Sequence, residues 1–169
     1  MRRAGASVEA AGGFTALILT RQNLPTLDRR ALGPADGLLR GGYVLKDAPG
    51  GRPDVILLAT GSEVEIALAA ADELGGREVR ARVVAMPSWE LFEQQEHGYR
   101  SSVLPPEVTA RVSIEAASTF GWDRYVGPGG AALGIDHFGA SAPAKVLYQE
   151  FGITADNLVA TALRMLGVS

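Results

Sequence analysis

Val55-Ile-Leu-Leu-Ala-Thr-Gly-Ser-Glu-Val64 is the stretch on which the fold turns. The unbroken apolar run from Val55 to Ala59 is the pattern of a strand covered on both faces. Thr60-Gly61-Ser62-Glu63 then turns the chain, and Val64, Leu68, Ala71 and Leu74 recur at helical spacing up to the Gly75-Gly76 stop. Ser62 and Glu65 stand at the spacing of a capping box. A buried strand passing through a capped turn into an amphipathic helix is the opening half of a parallel crossover.

The same alternation continues downstream. Val79 to Met86 reads as a strand, and Pro87-Ser88 opens a helical stretch from Trp89 to Gln95. Residues 97–106 read as loop, and Ala110 to Glu115 as a third strand. A glycine and aromatic loop, Phe120-Gly-Trp-Asp-Arg-Tyr-Val-Gly127, leads to a short apolar piece, Ala131 to Ile135. A helix follows from Ala142 to Phe151. The last runs from Ala155 to Leu166, with Thr154 as its cap and Leu158, Ala162, Leu163 and Leu166 facing inward. This spacing predicts a three-layer α/β domain over residues 54–169, with a mostly parallel sheet of about five strands.

Upstream the pattern is different. Residues 26–53 are rich in Gly, Pro, Asp and Arg and read as a linker, with one edge-strand candidate at Gly42-Tyr-Val-Leu45. Residues 14–20 form a further strand candidate, and residues 1–13 read as a frayed start. The apolar run Leu17-Ile-Leu-Thr20 ends in Arg21-Gln-Asn-Leu-Pro25. A strand that delivers polar side chains at its carboxyl end is where open α/β sheets place ligands. A guanidinium there suits either a phosphate or carboxylate ligand, or an acid of the same chain.

The composition excludes several kinds of chemistry. There is no cysteine, which removes disulfides and thiolate catalysis, and the two histidines, His97 and His137, cannot make a multi-histidine metal site. The formal net charge of -3 and the lack of a basic block argue against nucleic acid and anionic membrane partners. The amino terminus has no apolar core of a signal peptide and no run long enough to span a bilayer, so a cytoplasmic protein is expected.

Each remaining motif has a plain structural reading beside a functional one. Thr60-Gly61-Ser62 could hold an anion at a helix start, but a cap and a turn explain it better, with Glu63 and Glu65 alongside. Glu115 closes an apolar strand and is expected to bind loop amides or an arginine rather than to work as an acid or base. Asp136, His137 and Ser141 lie too close in sequence for a triad, and His137 is expected to be a loop hydrogen-bonder. Trp89, Trp122 and Tyr125 form either a ligand wall or core, and the Trp122 loop with Asp123 and Arg124 is a candidate dimer contact.

Taken in order, several stretches resemble the carboxyl-terminal part of transketolase: Thr20-Arg-Gln-Asn-Leu-Pro25, Ala59-Thr-Gly-Ser-Glu-Val64, Met86-Pro-Ser-Trp-Glu-Leu-Phe92, Ile114-Glu-Ala116 with Gly121-Trp122, Gly134-Ile-Asp-His-Phe-Gly-Ala-Ser-Ala-Pro143 and Phe151-Gly-Ile-Thr154. Together they cover about residues 15–167. The resemblance implies that residues 1–25 are the end of the family's pyrimidine-binding domain, that 26–53 link, and that 54–169 are its third domain. It implies transfer of a two-carbon ketol unit between sugar phosphates, with thiamine diphosphate and Mg2+ as cofactors. It assigns Arg21 to the terminal phosphate of the substrate and no residue of this chain to catalysis, cofactor or metal. The cofactor-binding domain is missing, so the chain alone is expected to be inactive and to bind no cofactor. It would act as a homodimer or beside a chain that carries the amino-terminal domains. The alternative is a free-standing α/β module that dimerises or binds a small anion.

Overall fold

The computed structural model describes residues 16, 18–20 and 22–168. Its centre is a five-stranded sheet built from β1 (Tyr43–Lys46), β2 (Val55–Ala59), β3 (Ala81–Ala85), β4 (Arg111–Ile114) and β5 (Ala131–Leu133), in the order β1-β3-β2-β4-β5. β1 pairs antiparallel with β3, and every other pairing is parallel. This is the mostly parallel α/β sheet expected from the run at Val55.

β2 and β3 are buried at every position, so they need cover on both faces. Alternate side chains serve two cores. Val55, Leu57 and Ala59 pack with Ala67, Ala70 and Leu74 of α1 (Val64–Gly76) and with Leu158, Ala162 and Leu163 of α6 (Ala155–Leu166). Ile56 and Leu58 point the other way, toward Phe92 of α2 (Trp89–Glu93), Val103 of α3 (His97–Val103), and Trp122, Tyr125 and Val126 in and before α4 (Asp123–Val126). α5 (Ala144–Glu150) lies beside the first of these cores. The three layers follow from this two-sided burial.

Several expectations change in detail. Residues 97–103 are a helix rather than a loop, held by buried Val103 and by the Arg100–Glu93 ion pair at 2.5 Å. The described residues of the strand candidate 14–20 are in no strand, and Ile18 and Leu19 are 94% and 81% exposed. No neighbouring edge pairs with them, and an apolar run without a ladder partner has nothing to make it a strand. Ser62 does not cap α1. The turn Gly61–Glu63 is a single 3-10 turn running directly into α1, and the Ser62 hydroxyl donates to Glu63 Oε1 at 2.7 Å instead. The hydroxyl proton is directed to the carboxylate beside it, a stronger acceptor than a neutral oxygen.

Other local expectations hold. Ser88 Oγ accepts from Leu91 N, and Thr154 Oγ1 accepts from Asn157 N, both as helix caps. The edge-strand candidate in the linker is β1. Its approach depends on Gly41, whose φ is +75° and where an added Cβ would come within 2.3 Å of Phe92 N and Ser88 O. No helix among the described residues is long and apolar enough to cross a membrane.

Candidate functional site at the carboxyl edge of the sheet

β2 lies between β3 and β4, so the chain leaves it toward one neighbour and later returns on the other side. That reversal is the switch point at which open α/β sheets form a crevice beyond their strand ends. The turn Thr60–Glu63 leaves β2 there, and the loop from Glu115 leaves β4. The segment before the sheet crosses the same edge. Ile18, Leu19, Leu24 and Leu27 face Thr60, Ser62 and Val64 across a cavity of about 300 Å³.

The polar centre of this edge is Glu63, only 4% exposed. A buried carboxylate requires donors. Tyr148 of α5 donates to its Oε1 at 2.6 Å, and Ser62 supplies the second bond described above. Gln22 Nε2 in turn donates to the Tyr148 hydroxyl at 3.1 Å. Burial, followed by the hydrogen bond to Glu63, raises the Tyr148 phenol above its ordinary value, so it remains a donor at neutral pH.

The turn is a poor anion cradle. Its hydroxyl at Ser62 is already given to Glu63, and Glu65 adds a second negative group at the start of α1. This donor set does not suit a diphosphate such as that of thiamine diphosphate. Among the described residues no three His, Cys, Asp or Glu side chains are grouped so as to hold a metal ion.

The remaining sequence candidates find structural roles. Glu115 Oε2 accepts from Trp122 Nε1 at 2.8 Å, a structural role as expected, with an indole as donor in place of a loop amide or an arginine. Trp122 is 1% exposed and meets Trp89 edge to face at 5.1 Å, with Tyr125 also 5.3 Å from Trp89. The aromatic group is core rather than a ligand wall. Of the expected dimer-contact loop, Asp123 and Arg124 are exposed but the indole is not. Asp136 gives its oxygens to Ser118 Oγ and to Thr119 N and Oγ1, at 2.8, 2.8 and 2.6 Å. It is thereby taken from His137 and Ser141, and no charge relay forms. His137 Nδ1 is 2.8 Å from Phe138 O, and its ring meets Phe151 at 4.7 Å, as a loop hydrogen-bonder would. Arg21 lies outside the described residues.

Tyr148 was missed by the sequence reading. It carries no motif, and its partner Glu63 is 85 positions away. The only signal in the sequence was a polar ring at the inward position of a short helix, which is also what a core tyrosine looks like.

Fold and edge together define a doubly wound α/β domain that closes its sheet with an antiparallel edge strand. Residues 41–154 match the family model described as the transketolase-like TK C-terminal domain, and the chain belongs to the transketolase family. Transketolase 7 of Craterostigma plantagineum is 54% identical over 149 residues, covering 86% of this chain and 22% of its own length. Transketolase 1 of Escherichia coli is 52% identical over 159 residues, covering 94% of this chain and 24% of its own. The chain therefore spans under a quarter of these relatives. Among solved structures, transketolase from Leishmania mexicana superposes with a TM-score of 0.72 at 44% identity, over 78% of this chain and 19% of that one. A Pichia stipitis transketolase in complex with sedoheptulose-7-phosphate superposes with a TM-score of 0.76 at 34% identity, over 87% of this chain and 20% of that one. The inactive beta4 tetramer of a split-gene transketolase shares the fold, at 24% identity and a TM-score of 0.65 over 88% of this chain and 48% of that one.

Proposed function

We propose that this chain is the carboxyl-terminal portion of a transketolase and works only beside polypeptide that supplies the remaining domains. The assembled enzyme would transfer a two-carbon ketol unit between sugar phosphates, with thiamine diphosphate and Mg2+ held outside this chain. When bound, that cofactor supplies the carbanion chemistry. Residues 1–25 would be the end of the preceding domain, 26–53 the link, whose strand β1 joins the sheet of the third domain, and 54–169 the remainder of that domain. The observation that carries the reading is the extent of the match: more than half identical to full-length transketolases, over less than a quarter of their length. The sugar phosphate bound in the Pichia stipitis relative supports the substrate class.

Arg21 would hold the terminal phosphate of the substrate through its bidentate guanidinium. The chain would also contribute contacts between protomers, in a homodimer or with a separate chain that carries the amino-terminal domains. The test is Arg21→Ala in the complemented enzyme. The Michaelis constant for a phosphorylated ketose is expected to rise at least ~30-fold, the effect of losing roughly 2 kcal/mol of charge-assisted bonding. That for an unphosphorylated ketose should stay within about twofold. Equal effects on both substrates would remove Arg21 from the phosphate.

A further inference from the structure

Among the described residues, Glu63 is the only buried carboxylate. Its partners form a directed chain of hydrogen bonds. Tyr148 gives its hydroxyl proton to Glu63 Oε1 at 2.6 Å, which leaves the phenol oxygen as an acceptor. That oxygen accepts a hydrogen bond from Gln22 Nε2 at 3.1 Å. Ser62 lies beside both, 2.7 Å from Glu63 Oε1 and 3.4 Å from the Tyr148 hydroxyl. A phenol polarised by a carboxylate is a better acceptor than a free one, so the buried acid strengthens the outer bond to Gln22.

Gln22 belongs to the segment that crosses the carboxyl edge ahead of the sheet. Its amide N–H donates to Thr20 Oγ1 at 3.1 Å, closing a local turn. On either side, the described residues of the segment that line the cavity opposite Thr60–Glu65 are apolar, Ile18 and Leu19 before it and Leu24, Pro25 and Leu27 after it. Apolar contact is non-directional and does not fix how far a segment slides along a surface. The hydrogen bond from Gln22 to Tyr148 does, and Tyr148 itself is fixed by Glu63.

We infer that Tyr148 and Glu63 are positioning residues, which seat the segment 18–27 on the carboxyl edge of the sheet through Gln22 and so set the register of the residue preceding it in the chain. That residue is Arg21, and the link to substrate phosphate rests on the proposed function; the seating itself does not. The third domain thereby acquires a task in the reaction: it fixes, from outside the cofactor site, the segment that carries the phosphate ligand.

Native trypsin digestion of the full 169-residue chain tests the seating, since trypsin cuts the Arg21–Gln22 bond. The initial rate of that cut is read by mass spectrometry. Tyr148→Phe and Gln22→Ala are each expected to accelerate it roughly fivefold, the factor for one net hydrogen bond when opening precedes cleavage. Gln22→Ala leaves the Tyr148–Glu63 bond in place, so it separates seating from any loss of fold. An unchanged rate in either variant overturns the inference. A second arm uses the complemented enzyme. Tyr148→Phe should raise the Michaelis constant for a phosphorylated ketose severalfold and leave kcat and the unphosphorylated substrate unaltered. Faster cleavage without that split overturns the link to phosphate. Absence of activity in the complemented wild type overturns the transketolase reading, while the cleavage rates still decide the seating.

Discussion

Trp122 illustrates how one polar atom fixes a side chain. Its indole N–H donates to Glu115 at the end of β4, while its rings sit edge-on to Trp89 and, 6.1 Å away, to Tyr125. Trp122→Phe would keep an aromatic face but leave Glu115 without that donor and open a void beneath the loop. A loss of about 2–3 kcal/mol is expected from the unmet carboxylate and the lost volume together, read from the midpoint of urea unfolding. At the same scale, Asp136 is held below the ordinary carboxylate range, chiefly by the Thr119 hydroxyl and then by the Thr119 amide and the Ser118 hydroxyl. These donors bind the charged form. The tie they make is complete above the ordinary value near ~4 and is lost as pH falls through the lowered one. The Thr119 amide resonance should titrate with a midpoint below ~4, and Asp136→Asn should abolish the transition. A midpoint at or above the ordinary value would contradict the assignment. The role of Glu115 was legible from its place at the end of an apolar strand. That of Tyr148 was not, because a contact between residues far apart in sequence leaves no local pattern.

At the scale of elements, the strands were the most legible. A continuous apolar run such as Val55–Ala59 has few explanations other than a strand covered on both faces. The helices were found less accurately. The spacing Val64, Leu68, Ala71, Leu74 identified α1, but its most buried face is Ala67, Ala70, Ala71 and Leu74. Small side chains let the helix lie close to the sheet, and alanine carries too little apolar weight to dominate a pattern. α3 escaped because its residues are mostly polar and two prolines follow it closely. Besides Val103 and the Arg100–Glu93 pair, its end is tied down by Arg82. That side chain is 6% exposed on β3; it donates through Nε and Nη2 to Asp47 at 2.8 and 3.1 Å, and through Nη1 to the carbonyls of Ser102 and Val103. One guanidinium therefore joins the segment after β1, the sheet and the end of α3. Arg82→Ala should cost about 3 kcal/mol, since it removes the donor from the buried Val103 carbonyl, the part-buried Ser102 carbonyl and the Asp47 carboxylate. Amide exchange should show residues 97–103 losing protection beyond the global change. Uniform loss across the domain would argue that Arg82 does not join these elements.

For the whole molecule, fold and family were legible because alternating strands and helices leave few topologies and because short stretches in a fixed order are specific together. The arrangement of the leading segment was not. Residues 14–20 look like a strand by their apolar run, and a run of that kind becomes a strand only beside an edge that accepts it. Here the described part of that segment lies on the carboxyl edge of the sheet, with Ile18 and Leu19 largely exposed. The proposed function gives those side chains a natural cover in the polypeptide that would carry the preceding domains. It also makes a sharp demand of the molecule, because a chain that leaves the cofactor site to another polypeptide cannot turn over substrate by itself. The most direct measurement is ketol transfer from a ketose phosphate to an aldose phosphate in the presence of thiamine diphosphate and Mg2+, using this chain alone and this chain mixed with a polypeptide carrying the two amino-terminal transketolase domains. No turnover is expected from either polypeptide alone, and turnover by the mixture should saturate at a fixed ratio of the two. A mixture as inactive as its parts, or turnover by this chain unaided, would contradict it.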